Sequence, residues 1–65
     1  MRNFYVFLNH GTGWLQTDTI WLSRGDALDA LMFETRNSDV KGLIGYDDDN
    51  GMLRIPDNFN DIPAN

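Results

Sequence analysis

Sixty-five residues with ten acidic side chains against five basic ones, a formal net charge of −5, specify one small acidic domain that is 42% hydrophobic and 23% charged. Such a composition excludes wholesale disorder. A chain this short buries only about 60% of the surface its unfolded form exposes, and without cysteine neither disulfides nor a thiolate zinc site can supplement the core.

Phe4 to Leu8 is a compact aromatic and β-branched run, followed by the turn signal Asn9-His10-Gly11-Thr12-Gly13 and a second strand-like run from Trp14 towards Leu22. This predicts an antiparallel hairpin whose first strand is apolar on both faces, with Phe4, Val6 and Leu8 on one and Tyr5 and Phe7 on the other. Ser23 stands where a helix N-cap belongs, with Asp26 three residues on. The helix is expected from Arg24 to about Arg36, packing through Ala27, Leu28, Leu31 and Met32 and presenting Asp26, Asp29, Phe33 and Arg36 to solvent. Asn37-Ser38-Asp39 ends it without a glycine cap.

Asn50-Gly51 is the preferred pair for a type I′ two-residue hairpin turn. Pairing outward from it sets Asp47 against Arg54 and Tyr46 against Ile55, so that Ile44, Tyr46, Leu53 and Ile55 share a face. Gly42 and Gly45 suit a bulge or an edge in the incoming strand. The expected fold is therefore α+β, in the order strand, strand, helix, strand, strand, with one helix on an antiparallel sheet. Residues 1–56 form the domain and 57–65 an irregular acidic tail.

No apolar run approaches the roughly 20 residues of a transmembrane helix, and the first nine residues are too short and too aromatic for a signal peptide. A cytoplasmic protein is expected. Residues 47 to 65 carry Asp47, Asp48, Asp49, Asp57 and Asp61 against Arg54 alone. That field repels nucleic-acid backbone and anionic membrane and favours a basic protein surface, including the nucleic-acid-binding groove of another protein.

The sequence offers little for catalysis or cofactors. His10 is the single histidine and reads as a loop residue. Asp47-Asp48-Asp49-Asn50-Gly51 fits a calcium loop poorly: with Gly51 at the sixth position, Tyr46 falls at the first, and Arg54 and Pro56 oppose the pattern. A divalent-metal module built on Asp47 to Asn50 is thus a remote alternative to a charged hairpin tip. Arg24-Gly25-Asp26 lies in the first turn of the predicted helix and has a structural role there. No enzyme, cofactor or metal is expected.

Eight aromatics, 12% of the chain, are more than one helix on one sheet face can cover. Tyr5 and Phe7, joined by Trp14 or Trp21, either lie beneath a tail folded back through Phe59 and Ile62 or form a surface for a partner. Phe33, ringed by charge, fits an aromatic anchor. The segment from Ile20 to Met32, a strand feeding Leu22-Ser23-Arg24-Gly25-Asp26-Ala27-Leu28-Asp29-Ala30-Leu31, resembles a pattern common in small bacteriophage early proteins, among them host RNA polymerase inhibitors and anti-CRISPR proteins. The resemblance implies a stoichiometric inhibitor, in the host cytoplasm, that occupies a basic groove of a nucleic-acid enzyme.

The expected function is therefore that of a non-enzymatic protein-binding module, an inhibitor or adaptor. Its candidate contact residues are Tyr5, Phe7, Trp14, Trp21, Phe33, Asp47, Asp48, Asp49, Asp57 and Asp61. The alternative is an accessory subunit or homodimer whose aromatic face is buried in an assembly.

Overall fold

The computed structural model describes residues 2–64, so Met1 of the expected domain and Asn65 of the expected tail lie outside the described residues. Strands β1 (Phe4–Asn9) and β2 (Trp14–Trp21) lead into helix α1 (Arg24–Glu34), followed by β3 (Lys41–Asp47), β4 (Leu53–Arg54) and a single 3-10 turn, Phe59–Asp61. The result is a small α+β domain. Its four antiparallel strands lie in the order β2-β1-β3-β4, so the chain order is the expected one and β1 and β3 are central.

The pairs Phe4↔Tyr46, Val6↔Ile44 and Leu8↔Gly42 put alternate residues of β1 and β3 on the face covered by α1. Phe4, Val6, Leu8, Ala27, Ile44 and Ile62 form the buried core. At Gly42 the helix comes so close that an added Cβ would collide with the Leu31 side chain and stand 2.9 Å from Thr35 Cγ2. The expected bulge or edge in this strand is thereby corrected. β3 lies between β1 and β4 with an unbroken register to β1, and Gly42 is required by helix packing.

The helix begins as its cap predicts, with the Asp26 N–H donating to Ser23 Oγ at 3.1 Å. It ends at Glu34, two residues early. The Thr35 hydroxyl and N–H both donate to the Leu31 carbonyl, at 2.7 and 2.9 Å, and Arg36 Nη1 donates to the Phe33 carbonyl at 2.6 Å. Side chains thus satisfy carbonyls that a glycine cap would otherwise leave to its backbone. Ala27, Leu28, Ala30 and Leu31 contact the core, whereas Met32 is 61% exposed. The expected core role of Met32 is corrected, because the packing seam runs along Ala27 and Leu31 and Met32 lies about 100° from it.

The second hairpin also departs from expectation. It pairs Tyr46↔Arg54 and Asp47↔Leu53, one residue out of the expected register. Among the described residues none other than glycine has positive φ, so Asn50 does not enter the conformation a type I′ turn requires, while Gly51 has φ +78°. The Gly51 N–H donates to the Asp48 carbonyl and the Asp48 N–H to the Met52 carbonyl, both at 2.9 Å. This is a three-residue loop closed by a glycine in the left-handed region. The longer loop lets Asp48 Oδ1 accept the N–H groups of Asn50 and Met52, each at 2.9 Å. A one-residue slip reverses every side chain, so Leu53 faces away from the helix.

The last segment packs on the helix side. Ile62 is buried against the core with Phe59 beside it. Arg24 hooks the segment in place: Nη1 donates to the Ile62 carbonyl at 2.8 Å, and the guanidinium lies 5.2 Å from the Phe59 ring centroid. A tail covering Tyr5 and Phe7 is therefore corrected. Phe59 and Ile62 extend the core that α1 leaves incomplete.

Ile62→Ala is expected to cost about 2–4 kcal/mol of unfolding free energy, and Met32→Ala well under about 1 kcal/mol. Chemical denaturation compares them; equal losses would contradict this core. Gly51→Val should cost on the order of 1 kcal/mol or more, and an unchanged melting temperature would contradict the loop.

Candidate functional site

The face of the sheet opposite α1 is built by the other set of cross-strand pairs. Asn9↔Trp14, Phe7↔Gln16 and Tyr5↔Ile20 join β1 to β2, Tyr5↔Gly45 and Phe7↔Leu43 join it to β3, and Asp47↔Leu53 completes the row. Tyr5, Phe7, Trp14, Ile20, Leu43 and Leu53 consequently share one apolar face. No element of the described residues lies over it. Trp14 is 47% and Ile20 54% exposed, and Tyr5, Phe7 and Leu43 are half-buried by one another and by the sheet.

Gly45 sets the relief of this face. An added Cβ there would stand 2.8 Å from Phe7 Cε2 and 3.1 Å from Leu53 Cδ1, so the Phe7 ring and Leu53 close over the bare backbone. At one end the Tyr5 hydroxyl donates to Asp47 Oδ2 at 2.8 Å. This bond raises the Tyr5 pKa above that of an ordinary phenol, with desolvation adding to the effect. Tyr5 therefore presents a ring to the surface while its polar end is engaged.

The acidic tip beside this face is held internally. Asp48 Oδ2 accepts from Arg54 Nε at 2.8 Å in addition to the two loop N–H groups. Arg54, then the N–H groups of Met52 and Asn50, hold its pKa below the usual carboxylate range, against a smaller opposing effect of desolvation. Arg2 reaches across from the start of the chain, donating to the Asp47 carbonyl at 2.7 Å and to Asp49 Oδ1 at 3.2 Å. The cation beside Asp48 is the Arg54 guanidinium. No group of three or more His, Cys, Asp or Glu among the described residues is arranged to hold a metal.

The ten residues singled out from the sequence do not form one surface. Tyr5, Phe7, Trp14 and Asp47 are brought together on the open face, and Asp48 and Asp49 stand at the adjoining hairpin tip. Trp21 pairs with Phe4 and packs on the helix side; its Nε1 is buried without a partner among the described residues. Phe33 is exposed on α1 under the Arg36 guanidinium, 4.1 Å from its ring centroid. Asp57 and Asp61 are exposed in the segment that packs on the helix side. Ile20, Leu43 and Leu53 were not among the ten. Ile20 was legible from its even spacing to Trp14, and Leu53 required the hairpin register.

A concavity of about 270 Å³ lies between β2 and α1 and is lined by Val6, Thr17, Thr19, Trp21, Ala30 and Glu34. Glu34 is its one titratable group, and no base and nucleophile are paired in it. His10 is exposed in the β1–β2 loop. No helix among the described residues is long and apolar enough to cross a membrane. Comparison with protein-family models, with curated proteins and with solved structures finds no match.

Asp48 gives this region a defined pH response. Its folded-state pKa is depressed, so its stabilising contribution is present above the ordinary carboxylate pKa and is lost as pH falls through the folded value, below about pH 4. Thermal melts between about pH 3 and pH 7 should show a loss on acidification that is smaller in Asp48→Ala than in the parent. Parallel acid limbs would contradict the assignment.

Proposed function

We propose that this chain works by binding another protein stoichiometrically, as an inhibitor or adaptor, through the sheet face that α1 leaves open. The observation that carries the reading is the contiguity of Tyr5, Phe7, Trp14, Ile20, Leu43 and Leu53 on that face. Monomeric proteins rarely present a large contiguous apolar patch without a use for it, and aromatic residues in such a patch are the side chains on which binding energy concentrates.

Charge selects the kind of partner. The chain carries −5, Asp47 lies on the open face, and Asp49 is exposed at its border. A surface with an apolar centre and basic surroundings matches this pattern, with charge speeding encounter and the desolvated aromatics holding the complex. The groove of a nucleic-acid-processing protein is such a surface, the target class implied by the resemblance to phage inhibitors. Charge of this sign disfavours direct binding to DNA or RNA.

A photo-crosslinking residue placed at Ile20 on the open face, or at Met32 on the helix, tests the proposal in lysate of the cells that make the protein. The expected result is an adduct with one heterologous protein from position 20, none from position 32, and a yield that falls as salt is raised. Equal adducts from both positions, or adducts with copies of the chain alone, would overturn it.

A further inference from the structure

The concavity between β2 and α1 gathers polar groups that the fold itself does not use. Glu34 is the last residue of α1, where the helix dipole disfavours a carboxylate, and the last turn contains no basic residue. Arg36, the nearest cation in the sequence, is committed to the Phe33 carbonyl and ring. Among the described residues neither the Glu34 carboxylate nor the hydroxyls of Thr17 and Thr19 have a hydrogen-bond or ion-pair partner. All three residues line the concavity, together with Val6, Trp21 and Ala30.

We propose that this concavity binds a short primary alkylammonium group, with the Glu34 carboxylate as its counter-charge, the Thr17 and Thr19 hydroxyls as further acceptors, and Val6, Trp21 and Ala30 around the alkyl chain. At about 270 Å³ the space lies just below the roughly 300–1,000 Å³ of ordinary small-molecule sites, which limits the ligand to a small one.

The chemistry of the lining chooses the ligand class. Its one charged group is a carboxylate at the negative end of a helix, so an anion is repelled and a cation attracted. The Trp21 indole N–H is buried, leaving no strong donor for a ligand's acceptor. A primary ammonium is all donor, with three N–H groups to set against a carboxylate and two hydroxyls, and it is charged at neutral pH. Tryptophan is also the aromatic residue that attracts a cation most strongly. A free amine and the lysine side chain of a partner both carry this group. The concavity lies on the helix side of the sheet, so the proposal is independent of protein binding through the open face.

Nuclear magnetic resonance titration of the full chain with n-butylammonium chloride, at neutral pH and constant ionic strength, tests it. The expected result is saturable binding in the millimolar range, with shifts concentrated at the amides of Thr17, Thr19 and Glu34 and at the Trp21 indole N–H. Butanol and butyrate, neutral and anionic counterparts of similar size, should give no saturable shift. Glu34→Gln should weaken binding at least several-fold without lowering the melting temperature, since it removes a carboxylate from the helix C-terminus. Asp49→Asn, at the hairpin tip beyond the opposite edge of the sheet, removes the same charge and should leave binding unchanged. A parallel titration with Nα-acetyl-lysine amide separates the sources: tighter binding of n-butylammonium assigns a free amine, and tighter binding of the lysine derivative assigns a side chain. No saturable shift at these residues would overturn the proposal, as would equal binding of butanol or equal weakening by Glu34→Gln and Asp49→Asn.

Discussion

A helix of eleven residues is about 16 Å long, and here it crosses a sheet of four strands, making its main contacts with β1 and β3. Its side chains can bury one face of those central strands. Everything else follows from that limited reach. β1, apolar on both faces, gives Phe4, Val6 and Leu8 to the helix and leaves Tyr5 and Phe7 to the opposite side. With the sheet this narrow and the helix this short, the covered core is itself incomplete. Ile62 fills it from the end of the chain, held by Arg24. The segment that could have closed the second face is spent on the first.

Two close approaches show how tightly the layers are set. Gly42 admits Leu31 on the helix side, and Gly45 admits Phe7 and Leu53 on the other. Both glycines lie in β3, the strand under the helix and beside the hairpin, so a side chain at either position would push apart one of the two layers. Asp48 has the corresponding role at the tip: one carboxylate accepts two loop N–H groups and the Arg54 guanidinium. The acidic patch apparent in the sequence is therefore partly a folding device, and Asp47 and Asp49 carry more of its outward charge than Asp48 does.

Most of the architecture was legible because local chemistry and periodicity agreed. Ser23 capped the helix it was expected to cap, and alternation in Phe4 to Leu8 divided that strand between two faces. Failures occurred where a tertiary choice decided between local options. Asn50-Gly51 supports more than one turn, and the reach of the Asp48 carboxylate selected the longer loop, moving Leu53 to the open face. Met32 lies at the margin of the apolar arc, and only the position of β3 determines that the seam passes through Leu31 instead. Phe59 and Ile62 could have closed either face, and the Arg24 hook, a contact between residues distant in sequence, decided it. The open face was therefore legible in Tyr5, Phe7 and Trp14 and illegible in Leu53.

The central claim is that one face of the sheet is closed and the other open, and the two tryptophans report on them separately. Single-tryptophan variants, Trp21→Phe retaining Trp14 and Trp14→Phe retaining Trp21, can be titrated with acrylamide in dilute solution while fluorescence is recorded. The account predicts strong quenching and red-shifted emission for Trp14, and weak quenching with blue-shifted emission for Trp21. Equal quenching of the two, or greater protection of Trp14, would contradict it.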